Sequence, residues 1–524
     1  MRKKIASFIS IPAILFSVSF VLTAFAHNII ELYLRVLPLS LVLAVLFALV
    51  ISMFSSIFLK NNAKRDIFST WCVIIFFTYG GLLSFIRNIF SQFSNVTVDR
   101  NYIALFLSLS LIFAAYKIIK RMPKIFSPLA KFLKIFGIAI TIFPIVSIMQ
   151  FQITQKSHSN ANSILALPNA SELAVNKLPD IYYIMPEDYA GSWVLKQYFN
   201  MDNNTFVDYL QDKGFYVADK STSNYPKTFL SLASSLNMEY LSYLSDRKNS
   251  SDQTVVNPLI ENNNALRFLK NVGYSYYQMG SWWGPTKYND FADNNFVLEN
   301  KNLPNIDEFT YYIIKSTTLN FIFTKFFPTV VVGDSNKDYR NRILYQFSIL
   351  PTVVNLSGPK FVFVHIIAPH GPYVFDQNCK SIALRQTKNI PEEQNYTNQT
   401  TCINKKLESA INVILKDSAK PPVIILQSDE GAPFLNNWLN PGDNWKTADN
   451  KMLVEKFPIL NAYYLPGVSQ EKLYPSITPV NSFRLVFDLY FNAKFPLLPD
   501  KNYIFSDLNH AYEFKDVTNV VSNK

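Results

Sequence analysis

Two patterns of apolar positions divide the chain. Over residues 1–155 the apolar residues run on without alternation, as Ser7–Ala26, Val36–Phe58, Ile67–Phe85, Tyr102–Tyr116 and Phe132–Phe151. Most of these runs approach the ~20 residues that a bilayer-crossing helix requires, so they predict five spanning helices, the fourth being the shortest. Beyond residue 179 the apolar stretches shrink and alternate with helical periodicity. Asp180–Met185, Gly214–Ala218, Tyr274–Met279, Lys360–Ile367, Val423–Leu426 and Ile459–Tyr464 read as strands. Helical patterns follow from Trp193, from Thr228, through 310–350, up to Lys416 and over Ser482–Phe491. Strands alternating with helices predict a largely parallel sheet covered on both faces, an α/β/α sandwich. Residues 377–403 read as a polar excursion. The expected division is a membrane domain over 1–155, a polar linker over 156–178 and an exported domain over 179–524.

Charge sharpens this division. Of 49 basic and 38 acidic residues, positions 1–155 hold 15 and 3, leaving 34 and 35 for the remainder. The net charge of +11 thus belongs to the apolar part and does not point to nucleic acid. Arg2, Lys3 and Lys4 precede the first run, and Lys60, Lys64 and Arg65 separate the second from the third. Lys117, Lys120, Arg121, Lys124, Lys131 and Lys134 lie around the gap between the fourth and fifth, while the other two loops hold only Arg35, Arg87 and Arg100. By the positive-inside rule the N-terminus is cytoplasmic and everything after the fifth span is extracytoplasmic. Ala24–Phe25–Ala26 has the small-residue spacing of a signal-peptidase site, but the run before it exceeds the usual signal core. Cys72 lies in the third run, whereas Cys379 and Cys402 fall in the exported part, where an oxidising environment permits a disulfide between them.

Candidate chemistry collects where strands end. Asp429 and Glu430 follow the buried strand of PPVIILQSDEGAP; Glu187 and Asp188 follow DIYYIM. Ligands of open α/β sheets bind beyond the carboxyl ends of the strands. Adjacent acids at such a place are costly without a cation, and a divalent metal is the usual answer. Thr228 opens a helical pattern and serves equally as an N-cap; His370 stands between Pro369 and Gly371. Each has an ordinary structural explanation alone, and their common edge of the sheet is what matters.

Together the residues resemble a family. PDIYYIMPEDYA, SNYPKTFLSLASSLNMEYL, GSWWGPT, KFVFVHIIAPHGPYVFD, PPVIILQSDEGAP, KFPILNAYYLPG and SITPVNSFRLVFD resemble the sulfatase-like branch of the alkaline phosphatase superfamily. The membrane-anchored phosphotransferases of the lipoteichoic acid synthase type, with five spans and an extracytoplasmic catalytic domain, are the nearest in organisation. The resemblance implies an inner (plasma) membrane enzyme that moves a phosphoryl group on a lipid or glycan head group, as transferase or hydrolase. It implies metal ligands at Glu187, Thr228, Asp429 and Glu430, a nucleophile at Thr228, and His365, His370 and Trp283 toward the substrate. The alternative is a sulfatase-fold protein that has lost catalysis and binds a ligand or supports envelope assembly.

Three departures from the family pattern carry weight. Glu430 replaces the histidine that usually follows the metal-binding aspartate, and Asp188 stands where glycine is usual. The C/S-x-P-x-R formylglycine signature is absent, since Ser223 lies three residues before Pro226 and Lys227 follows it. An all-oxygen ligand set favours Mn or Mg over Zn. One extra negative charge ~4 Å from an anionic substrate opposes catalysis by roughly 4 kcal/mol at an effective dielectric of ~20. A protonated Glu430 or an unidentified Lys or Arg would relieve it.

Overall fold

The structure is a computed structural model and describes residues 8–29, 32–91, 99–121, 123, 127–158, 165–168, 173, 178–298, 307–326, 335–433 and 444–522. Arg2, Lys3, Lys4 and Lys124, and most of the expected linker, lie outside the described residues. The chain forms two compact units, residues 1–154 with 299–333, and residues 155–298 with 334–524.

The first unit contains α1 (Ile11–His27), α2 (Leu37–Phe58), α3 (Asn62–Ser91), α4 (Arg100–Arg121) and α5 (Ser127–His158). Four of these are long and apolar enough to cross a membrane, and α1 is a shorter apolar helix. A helix pairs its backbone polar groups internally, which a hydrocarbon surrounding demands. The buried face of α2 is Ser40, Ala44, Ala48, Ser52 and Ser55, a stripe of small residues that lets neighbouring helices approach closely. Its Val42, Leu46, Val50, Met53 and Ile57 point outward. Two helices from far along the chain, Glu308–Ser316 and Leu319–Phe326, also belong to this unit. Phe309 packs edge-on against Phe25 at 5.5 Å, Thr310 meets Ser40 at 2.7 Å, and Lys325 pairs with Asp99 at 2.7 Å.

The second unit is built on a seven-stranded sheet. Its strands are β1 (Ile181–Glu187), β2 (Tyr216–Val217), β3 (Ser275–Met279), β4 (Asn294–Phe296), β5 (Lys360–Pro369), β6 (Val423–Gln427) and β7 (Asn461–Tyr464), in the order β2-β7-β6-β1-β5-β3-β4. From β4 to β6 the neighbours are parallel; β7 runs antiparallel to β6, and β2 antiparallel to β7. Central β1 is buried throughout. Its alternation sends Ile181, Tyr183 and Met185 to one core, with Phe363 and Ile425, and Tyr182 and Ile184 to the other, with Val364 and Leu426. A separate hairpin, β8 (Tyr503–Phe505) and β9 (Phe514–Asp516), lies outside this sheet. Cys379 and Cys402 form a disulfide. Cys402 sits inside a helix, Glu392–Asp417, so the second half of the expected polar excursion is helical.

Candidate metal centre

Parallel pairing brings the ends of β1, β5 and β6 together. Ile184 is in register with both Val364 and Leu426, so Glu187, His365 and Asp429 converge at one edge. One ligand atom of each lies within 4.8 Å of the others, and all three side chains are buried. Glu187 Oε2, His365 Nε2 and Asp429 Oδ2 have no hydrogen-bond partner. Buried polar atoms are paired in the great majority of cases, so three facing orphans are unusual unless a cation completes them. Asp429 is held by its other atoms: Oδ1 accepts from Asp188 N at 3.3 Å, and its carbonyl accepts from Ser231 Oγ at 2.5 Å. The Thr228 hydroxyl donates to Glu187 Oε1 at 3.4 Å. Thr228 is the first residue of the helix Thr228–Asn237, whose N-cap is Lys227, so its hydroxyl is not used as the cap.

Glu430 does not stand with these three. Its Oε1 lies 3.2 Å from Lys456 Nζ, which is also 3.0 Å from Asp188 Oδ1 and donates to the carbonyls of Gly431 and Ala432. The close return of the chain depends on Gly431, where an added Cβ would fall 2.1 Å from the Lys456 carbonyl oxygen. Asp188 holds a left-handed backbone, φ 58°, which aspartate tolerates better than most residues. Lys456 is therefore the positive group that offsets Asp188 and Glu430. The sequence carries no mark of it beyond a lysine at the entrance to β7.

The electrostatics follow this division. Burial, then the Glu187 carboxylate, push Asp429 up to about 7. Burial also holds Glu430 well above the usual carboxylate range, and Lys456 offsets this only in part. Asp188 is buried too, yet Lys456 and His370 hold it below its ordinary value. Desolvation opposes charge on His370, but Glu187 and Asp188 outweigh it and raise its proton affinity. The imidazole is half-exposed, with Nε2 3.9 Å from Asp188 Oδ2 and Nδ1 against the Gly371 carbonyl. Tyr339 and Gln399 both donate to the His370 carbonyl, which fixes the loop. Trp283 is half-buried and meets the His365 ring edge-on, centroids 6.2 Å apart, whereas Trp282 is exposed.

Residues 179–477 match the sulfatase family. The chain belongs to the sulfatase family. No curated protein matches it in sequence. The C-terminal periplasmic domain of EcEptC from Escherichia coli is similar at 13% identity and TM-score 0.40, covering 68% of this chain and 100% of that one. Lipooligosaccharide phosphoethanolamine transferase A from Neisseria meningitidis, an integral membrane protein, is similar at 12% identity and TM-score 0.39, covering 92% and 95%. The putative sulfatase yidJ from Bacteroides fragilis is similar at 13% identity and TM-score 0.39, covering 64% and 84%.

The donors present in this sulfatase-family site fit a divalent cation: two carboxylates, an imidazole nitrogen and an adjacent hydroxyl. The expectation of Mn or Mg rested on an all-oxygen set containing Glu430. Glu430 Oε1 is taken by Lys456, although its Oε2 is orphaned like the others; with His365 Nε2 facing the site the donors are no longer all oxygen, and imidazole suits Zn and its neighbours in the series.

Proposed function

We propose that the chain is a membrane-anchored, metal-dependent phosphotransferase or phosphodiesterase acting on a lipid or glycan head group, with Thr228 as nucleophile. The observation that carries this reading is the convergence of three orphaned buried ligand atoms beside a helix-start hydroxyl that is not used as a cap. A divalent ion bound there would lower the proton affinity of the threonine hydroxyl and neutralise charge on the phosphoryl oxygens.

The residues divide the work. Thr228 Oγ forms a bond to phosphorus while the bond from phosphorus to the leaving oxygen breaks, and the threonine proton passes to Glu187, toward which it already points. The N-terminus of the helix at Thr228 presents backbone N–H groups to an anion. His370, its proton affinity raised by its carboxylate neighbours, hydrogen-bonds a phosphoryl oxygen or gives a proton to the leaving alkoxide. An acceptor alcohol then attacks the phosphothreonine and restores Thr228; attack by water gives hydrolysis instead. Lys456 keeps the charge of Asp188 from adding to that of the substrate, and burial favours the uncharged form of Glu430. Apolar spans on the same chain hold the site at a membrane, where lipid-linked head groups are concentrated.

The test uses bis(4-nitrophenyl) phosphate and the full-length protein reconstituted with Mn or Zn. Acid quenching followed by peptide mass spectrometry is expected to find a 4-nitrophenyl phosphate ester on Thr228 in wild type and none in Thr228→Ala. A wild-type protein that binds metal but never modifies Thr228 nor releases nitrophenol would favour the binding alternative.

A further inference from the structure

The loop between β3 and the helix Gly284–Lys287, which carries two tryptophans, has no part in the chemistry above. It is nevertheless built tightly. An added Cβ at Gly280 would fall 2.2 Å from the Lys287 carbonyl oxygen, so glycine there lets the loop fold back on its own base. Trp283 N donates to Ser281 Oγ at 3.0 Å, Thr286 N to the Trp283 carbonyl at 3.1 Å, and Gln278 Nε2 to the Thr286 carbonyl at 2.6 Å. The effect of this wiring is to hold the Thr286 hydroxyl 2.9 Å from His365 Nδ1 and 2.7 Å from Ser281 Oγ. Thr286 and His365 are fully buried and Ser281 almost so.

We propose that Thr286 is a positioning residue of the metal centre, accepting the Nδ1 proton of His365 so that the Nε2 lone pair faces Glu187 and Asp429. This rests on the reading of those residues as a metal site. The geometry of the imidazole decides the tautomer. A proton on Nδ1 has an acceptor in Thr286 Oγ1, whose own proton passes to Ser281 Oγ or the Trp283 carbonyl. A proton on Nε2 would meet only Glu187 Oε2, 3.3 Å away and outside hydrogen-bond geometry. Thr286 is the better-placed acceptor, and a cation on Nε2 requires the proton on Nδ1. That leaves the Nε2 lone pair oriented toward Glu187 and Asp429.

The test compares metal affinity of the full-length protein with Thr286→Val and Thr286→Ser, stripped of metal and titrated with Zn or Mn. Val keeps the volume of threonine and removes the acceptor, and is expected to weaken binding by about 10- to 100-fold; Ser keeps the acceptor and is expected to restore wild-type affinity. Thr286→Val binding as wild type, or Val and Ser weakening it equally, would overturn the proposal while leaving the metal site standing. A wild type that binds no metal would overturn the site itself, and the proposal with it. Should Thr286→Val fail to fold, ring 15N shifts of histidine-labelled, metal-free wild type report the tautomer directly. The signal lost in His365→Gln is expected to be that of an Nδ1–H imidazole, and an Nε2–H imidazole would overturn the proposal.

Discussion

The ammonium of Lys456 lies 3.2 Å from the Glu430 carboxylate, and neither side chain is more than 6% exposed. A charge so deeply placed depends on its partners. Lys456→Met would leave Asp188 and Glu430 without their common cation, and a loss of about 3–5 kcal/mol of stability is expected from breaking a buried pair on one side. Adding Glu430→Gln to Lys456→Met should recover part of that loss. Urea unfolding of the three proteins checks the ordering.

Glu430 and Asp429 are neighbours in sequence with opposite expected consequences. Asp429→Asn removes an orphaned ligand atom and is expected to abolish metal binding. Glu430→His is expected to leave metal affinity unchanged and to cost stability, because it exchanges a carboxylate for an imidazole against Lys456. Isothermal titration of the two variants separates these effects. A gain of affinity in Glu430→His would place that position within the metal shell after all.

The disulfide closes a loop with a sequence separation of 23 between Cys379 and Cys402, and chain-entropy reasoning assigns such a loop about 3 kcal/mol. Replacing both cysteines by serine is expected to lower stability by that order. The helix that holds Cys402 also carries Gln399, which donates to the Pro369 and His370 carbonyls and accepts from Val374 N. Turnover should therefore fall along with stability while metal affinity is kept. Unfolding and metal titration with and without reductant check both.

The alternation of basic loops predicts where the exported domain stands. A cysteine in place of Lys248, exposed in the second unit, is expected to react with an impermeant maleimide on intact spheroplasts. One in place of Asn62, the first residue of α3, is expected to react only after lysis. The reverse pattern would contradict an extracytoplasmic site.

Legibility in the sequence followed how each element gains its stability. β1, β5 and β6 are runs of branched and aromatic residues buried on both faces, so composition alone marked them. The helix Glu392–Asp417 did not show in its first half, because its buried face there is Asn395, Gln399 and Thr400. Asn395 and Gln399 are buried to pair with backbone groups of the neighbouring loop, and Thr400 bonds back to the Tyr396 carbonyl; apolar periodicity does not register that use. The helices Glu308–Ser316 and Leu319–Phe326 read as helical, but their membership of the N-terminal unit depends on contacts remote in sequence. β8 and β9 are three residues each, too short to present a period.

At the site, Glu187, Thr228 and Asp429 were named from their places at strand ends and a helix start. Glu430 was grouped with Asp429 by adjacency, but the chain turns between them, and Lys456, 26 positions on, claims Glu430. His365 was assigned to the substrate. Its place within a strand hid that β-sheet register would set it opposite Met185 and aim it at Glu187.

The central claim is that Glu187, His365 and Asp429 hold a divalent ion beside Thr228. It is tested most directly by the metal content of full-length wild type and Asp429→Asn after equilibration with Zn or Mn and gel filtration. One ion per chain in wild type and none in the variant is the expected result. No ion in wild type, or equal content in the two proteins, would contradict the account.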